Sequence, residues 1–156
     1  MNKNLLAIIL TAAALTGCSS VPMESKEATA KAREFNAPAE KKAGFYVFRR
    51  DTFVGAALKK DVWLNKECVG ETAKGVFFYK EVDGDQAVAV STESEFSPNT
   101  LTVDAKSGNL YFVEQFIKMG AFVGGADVKL VHDEAGKSEI RRLKMAKSGK
   151  CSSELK

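Results

Sequence analysis

The sequence predicts a mainly β protein: an antiparallel β-sandwich-like domain followed by one C-terminal α-helix. Three observations predict it. From Gly44 to His132, short aromatic and β-branched runs recur roughly every ten residues with turn residues between them. Within the runs apolar and polar residues alternate, as Leu101, Val103 and Ala105 do with Thr102 and Asp104. Near the end the spacing changes to three, with Ile140, Leu143 and Ala146 on one stripe.

The first element precedes the domain. Lys3 and the amino terminus stand before an uncharged run from Leu5 to Leu15, and small residues come after it. This is the layout of a secretory signal. The run is about half of the ~20 apolar residues that cross a bilayer as a helix. It closes on Leu15-Thr16-Gly17-Cys18, which resembles the lipobox of bacterial lipoproteins. The resemblance implies that residues 1–17 are a lipoprotein signal peptide. It implies that the Cys18 thiol receives a diacylglycerol and that the new amino terminus is acylated, with a chain such as palmitate. The alternative is a free cysteine beside an ordinary cleavage site. Two or more acyl chains make a stable anchor. Ser19 in place of Asp implies the outer membrane, on its periplasmic side. In a Gram-positive cell the same signal means the outer face of the plasma membrane.

Residues 18–43 read as the lipidated Cys18 and a flexible tether rich in Ala, Ser, Lys and Glu, with Pro22 and Pro38. Glu24 to Phe35 has the length of a short helix but little apolar surface to bury, and such a helix alone is marginal in water. As a coil of about 25 residues it reaches roughly 25–30 Å.

Residues 44–156 form a single domain. Its first strand is "FYVFRR". "DVWLN" and "CVGETA" flank a turn at Asn65-Lys66-Glu67, "GVFFYKEV" and "QAVAVST" flank Asp83-Gly84-Asp85, and "NTLTVDA" and "NLYFVEQF" flank Lys106-Ser107-Gly108. Asp-Gly is expected to supply the positive φ of a hairpin. "ADVKLVH" is the last strand. Phe45, Tyr46, Phe48, Trp63, Phe77, Phe78, Tyr79, Tyr111, Phe112 and Phe116 lie in these strands, as core and cross-strand pairs rather than a ligand cage. The helix is expected over Ser138 to Lys147, capped by Ser138 or Asp133 and stopped by Gly149.

The stretch Phe35 to Arg49 resembles a family of short bacterial lipoproteins that carry a domain of unknown function. In that family a lipobox and an Ala-rich tether lead to a Phe, prolines and an aromatic-Val-aromatic-Arg strand. Here these are Phe35, Pro38 and Tyr46-Val47-Phe48-Arg49. Val62 to Leu64, Val69-Gly70, Asp83-Gly84, Val88 to Val90, Gly108, Tyr111 to Val113 and Gly124-Gly125 keep the family's order. The resemblance implies a β-sandwich-like domain and brings no catalytic residue. The Cys68 and Cys151 pair and the "MGAFVGG" segment stand outside its pattern.

Cys68 and Cys151 are the remaining cysteines once Cys18 is acylated. An oxidising compartment favours one disulfide between them. The alternative is two thiols, one of them buried as a small hydrophobe. A bond requires Cα atoms within about 7 Å.

Chemistry is sparse. His132 is the single imidazole, beside Asp133, and no GxSxG elbow supplies a nucleophile for it. A strand-end surface histidine is the plainer reading. One histidine and no CxxC pair speak against zinc, and no metal or cofactor is expected. "KSGK" at 147–150 lacks Walker spacing, and "GAFVGGAD" lacks GxGxxG, so its glycines read as a bend or bulge. The net charge falls to +2 once the signal is removed, too balanced for nucleic acid. One basic cluster remains: Lys137, Arg141, Arg142, Lys144, Lys147 and Lys150, with Glu139. It reads either as a solvated helix face or as a site for anionic lipid or an acidic partner.

These observations point to a non-enzymatic, lipid-anchored structural or interaction module of the envelope. Its expected partners are the membrane, through the acyl chains on Cys18, and another envelope protein. A small-ligand or peptide carrier is the alternative, and it requires a deep apolar pocket near Trp63, Phe77 or Tyr111. A hydrolase whose residues carry no motif is the third reading.

Overall fold

A computed structural model describes residues 21–155. The signal segment 1–17 and Cys18 lie outside the described residues. Helix α1 spans Lys26–Ala32. It is succeeded by strands β1 (Lys42–Phe48), β2 (Lys60–Leu64), β3 (Glu67–Thr72), β4 (Val76–Asp83), β5 (Gln86–Thr92), β6 (Asn99–Ala105), β7 (Leu110–Lys118) and β8 (Gly125–Val131). Helix α2 (Asp133–Ile140) and a short strand β9 (Lys144–Met145) close the order. The strands form two sheets, β8-β7-β1-β4-β9 and β3-β2-β5-β6, as the sandwich-like reading requires.

β1 shows no alternation because it is central and covered on both faces. Phe45 and Val47 point into the inter-sheet core with Val62, Leu64, Val88, Val90 and Val113. Tyr46 and Phe48 point the other way, into a second apolar layer with Phe77, Phe112, Ile140 and Leu143. That layer is roofed by the N-terminal segment and α2, so the molecule has three layers rather than two. Phe45, Tyr46, Phe48, Trp63, Phe77, Phe78 and Phe112 are all buried. A buried polar group also ties the sheets together. Gln115 Nε2 donates to Thr92 Oγ1 at 2.7 Å, its Oε1 accepts from Thr72, and all three residues are fully buried.

Four details differ from the sequence reading. First, the pairing is mixed: β1 runs parallel to β7, and β4 parallel to β9. Second, two turns with hairpin letters are corners. β4 and β5 lie in different sheets, as do β6 and β7, so Asp83-Gly84-Asp85 and Lys106-Ser107-Gly108 carry the chain across the sandwich. The positive φ of the first corner belongs to Asp85, at 56°. Its carboxylate accepts from Ser107 N–H at 3.2 Å and Ser107 Oγ at 2.7 Å, locking the corners together. By contrast Asn65-Lys66 is a true hairpin turn between β2 and β3, with φ of 49° and 71°, the sign pattern of a type I′ turn.

Third, the helix spans Asp133–Ile140 rather than Ser138–Lys147. Ile140 and Leu143 are buried as the stripe required, but the Arg33 guanidinium takes the carbonyl oxygens of both residues. The chain then straightens and pairs with Val76 and Phe77 as β9. Fourth, the segment expected as a tether is docked from Val21 onward, and the first strand begins at Lys42. Val21 is buried in the inter-sheet core. Met23 pairs with Ala146, Glu24 N–H donates to Met145 O, and Lys147 N–H donates to Pro22 O. Ser25 caps α1 by accepting from Ala28 N–H. Phe35 places its ring 5.5 Å from Tyr46 and 6.0 Å from Phe112. Four spaced apolar residues, Val21, Met23, Ala32 and Phe35, thus supply the buried surface that the composition obscures.

The tail beyond β9 reaches the other sheet. Gly149 N–H donates to Val69 O, and Glu71 N–H donates to Lys150 O. Cys151 forms a disulfide with Cys68 across a Cα separation of 6.0 Å, within the geometric limit. Among the described residues no helix is long and apolar enough to cross a membrane.

Candidate interaction site at the loop end

β1 and β7 run parallel, so their C-terminal ends deliver loops to one end of the sandwich. The loop after β5 reaches the same end. Three loops meet there: 49–59, 93–98 and 119–124.

The first loop is held by an inward arginine. Arg49 ends the aromatic-Val-aromatic-Arg strand and is buried. Its Nη1 donates to Leu58 O at 2.6 Å and its Nη2 to Gly55 O. Burial draws its pKa below the usual arginine value. With the guanidinium filling the inside of the loop, Phe53 and Val54 are left outside, 94% and 62% exposed. Gly55 sits at φ +66°, and a Cβ there would come within 2.5 Å of Ile117. The loop therefore needs glycine both for its turn and to lie against β7.

The other two loops are joined by Glu95. Its carboxylate accepts from the N–H groups of Ala121 and Phe122 at 2.6 Å and from that of Val123 at 3.3 Å. Successive amides converging on one carboxylate fix the loop's backbone and turn its side chains outward. Met119 is 93% exposed, Phe122 87%, Val123 58% and, beside Glu95, Phe96 80%. Leu58 lies against Gly124, so the first and third loops touch. A cleft lined by Ser94, Phe96, Asn99, Met119 and Gly125 separates the second and third.

Six of the seven large apolar side chains that the described residues expose belong to these loops; Leu130 is the other. The cations around them are occupied. Arg50 lies 3.2 Å and Lys129 3.3 Å from Glu114, Lys60 2.9 Å from Glu93, Lys74 3.2 Å from Asp51, and Lys118 2.9 Å from Asp127. The end of the domain is an apolar projection on rigid loops, ringed by paired charges.

The structure places the other sequence candidates apart from this end. Cys18 lies outside the described residues. Cys68 and Cys151 are joined to each other at the edge of the smaller sheet. His132 is exposed and stands at the amino end of α2. It borders an open groove with Gly108, Tyr111, Leu130, Asp133 and Lys137, and no serine or cysteine lines that groove. Trp63 and Phe77, two of the three aromatics that would mark a carrier's pocket, are packed in the interior.

"MGAFVGG" stands out in the sequence as an anomaly, but as a bend between strands rather than one of three converging loops. Sequence reasoning misses Phe53-Val54 and Phe96. Their signal is an aromatic residue inside a turn-rich stretch, "DTFVGA" and "SEFSP", where no strand needs one.

Residues 39–126 match the family described as protein of unknown function, DUF2846. An uncharacterized protein of Haemophilus influenzae is 43% identical over 142 residues, covering 91% of this chain and 83% of its own. The chain belongs to the DUF2846 family. No solved structure matches it. The family segment runs from just before β1 to the start of β8 and contains all three loops and Arg49. It stops before α2, β9 and Cys151, so the basic stretch and one half of the disulfide lie outside it.

Proposed function

We propose that this DUF2846 protein is a lipid-anchored envelope lipoprotein, held by Cys18 at the periplasmic side of the outer membrane. It is a non-enzymatic module that engages another envelope protein through its loop end. The observation that carries the reading is the set of Phe53, Phe96, Met119 and Phe122 exposed together on loops fixed by Arg49 and Glu95. Aromatic residues and methionine are enriched in protein interfaces, and anchors held rigidly before binding lose little entropy on association. The partner is a protein with an apolar concave surface. A lipid surface would use unpaired cations around the apolar tips, and here those cations are paired within the domain. The carrier alternative has less support, because Trp63 and Phe77 fill the interior and the groove beside Tyr111 is open.

The test is site-specific photo-crosslinking in intact cells, with the reactive residue at Phe53 or Phe122 and, as a control, at exposed Lys66. The expected result is one discrete protein adduct from the loop positions, absent from the control and abolished in a folded Phe53→Ser, Phe96→Ser variant probed at Phe122. Lipid adducts alone, or the same adduct from every position, would refute the protein-partner reading. Cell fractionation of Cys18→Ala tests the anchor separately. If that variant matures normally and stays with the membrane, the lipoprotein reading is wrong.

A further inference from the structure

The stretch from Arg141 to Lys150 holds five cations and no acidic residue. As a helix, it would have had its charges solvated on an outward face. It is not a helix: the chain leaves α2 at Ile140 and continues as β9 and an extended tail. Arg141, Arg142, Lys144, Lys147 and Lys150 are all exposed, and none is in an ion pair among the described residues. Lys26, Lys31, Lys41 and Lys66 are exposed without an ion pair too, but they are scattered, whereas here five such cations fall within ten residues.

Its position is the second observation. β9 is the edge strand of its sheet, and the segment Val21 to Glu24 pairs along it, with Pro22 O accepting from Lys147 N–H. Cys18 is three residues upstream of Val21, which is buried. Three residues span at most about 10 Å. If Cys18 carries the acyl chains, the basic edge is therefore held beside the bilayer that they enter, not roughly 25–30 Å away on a coil.

We infer that Arg142, Lys144, Lys147 and Lys150 form a docking edge for an anionic phospholipid surface, which lays the domain on the membrane of its own anchor. The inference rests on the lipoprotein reading for its geometry, but its chemistry is tested without the anchor. Glu24, Glu27 and Glu71 lie near this edge, and the five cations outnumber them. Basic residues near an anionic leaflet act additively over a Debye length of about 8–10 Å. Each cation contributes roughly five-fold in partitioning.

The experiment uses the mature chain from residue 18 with Cys18→Ser, so that no acyl chain contributes, and its disulfide formed. Co-sedimentation is measured with vesicles of phosphatidylethanolamine and phosphatidylglycerol, and with pure phosphatidylcholine vesicles. Binding is expected to the anionic vesicles only and to fall in high salt. Replacing Arg142, Lys144, Lys147 and Lys150 by Gln is expected to weaken it at least a hundred-fold. Replacing the three lysines by Arg is expected to preserve it, which separates charge from folding. Equal binding to both vesicle types, no binding to anionic vesicles, or a Gln variant that binds like the parent overturns the inference. Mass spectrometry of the cellular protein for acyl chains on Cys18 decides the anchor independently, so the two failures are distinct.

Discussion

The buried carboxylate of Asp61 in β2 is the acceptor for the tail: Ser152 gives it a backbone N–H at 2.9 Å and a hydroxyl at 2.8 Å. Ser153 adds an N–H at 2.9 Å and a hydroxyl at 3.0 Å. No cation partners this charge among the described residues, so four donors from the last residues of the chain replace water around it. Asp61→Ala is expected to lower stability by about 2–3 kcal/mol, the range for a buried charged hydrogen bond and the donors left behind. Urea unfolding gives the magnitude, and hydrogen exchange at residues 150–154 is expected to quicken. Unchanged exchange there would show that the tail is held without Asp61.

The Cys68–Cys151 bond closes a loop of 83 residues beside the same carboxylate. Chain entropy alone assigns such a loop roughly 4–5 kcal/mol, and measured bonds often give less. Replacing both cysteines by Ala is expected to cost about 2–4 kcal/mol. Combined with Asp61→Ala the loss is expected to fall short of the sum, because both changes release one tail. Thiol labelling of the non-reduced protein that found both cysteines free would remove the basis of this prediction.

Two tyrosines set the alkaline limit. Tyr46 donates its hydroxyl to Ala32 O at 2.6 Å, and burial first, then the charge of Glu81, pushes its pKa to about 12. Burial, the hydrogen bond to Glu81 and then its charge push Tyr79 up further. The folded values lie above the ordinary 10.0, so the fold favours the neutral phenols. Their stabilising contribution is complete below pH 10 and is lost as pH rises through about 12. Phenolate absorbance, assigned with Tyr46→Phe and Tyr79→Phe, is expected to show neither ring ionising at about pH 10–11 in folded protein. Ionisation of either in that range contradicts the assignment.

The sequence made the strands legible because alternation is local: Leu101, Val103 and Ala105 against Thr102 and Asp104 define a face without knowledge of a partner. It did not make the pairing legible. Asp83-Gly84-Asp85 and Asn65-Lys66 both carry turn-favouring residues, yet one is a corner and the other a hairpin. The difference lies in Asp85 bonding to Ser107, 22 residues away. The N-terminal segment reads as a tether for a related reason. Val21 and Met23 enter the inter-sheet core while Phe35, twelve residues on, joins the second apolar layer, so the segment shows no single stripe. The loop end stays mostly hidden because its defining contacts, Arg49 to Leu58 O and Glu95 to three amides, are bonds to backbone. Such bonds leave no pattern in side-chain identity.

Helix α2 offers a substitution whose local and tertiary consequences have opposite signs. Gly136 lies in its interior, where Ala is normally favoured by about 1 kcal/mol. A Cβ at this position would fall 2.3 Å from Phe112 Cγ and 2.4 Å from Phe112 Cβ. The Phe112 ring is fully buried, stacked 5.1 Å from Tyr46 and met edge-on by Phe35 at 6.0 Å. The clash falls on the Cβ and Cγ atoms, which the β7 backbone holds in place, and overpacking of this kind costs about 1–3 kcal/mol. Gly136→Ala is therefore expected to destabilise the protein by up to about 2 kcal/mol net. Ser138→Ala, an exposed change in the same helix, is expected to be neutral or slightly stabilising. Phe112→Ala should cost less in the Gly136→Ala background than alone, because it removes the Cγ and Cδ1 atoms that meet the new methyl. A more stable Gly136→Ala protein would mean that α2 can lift from β7 without loss, and that the aromatic layer beneath it is not close-packed.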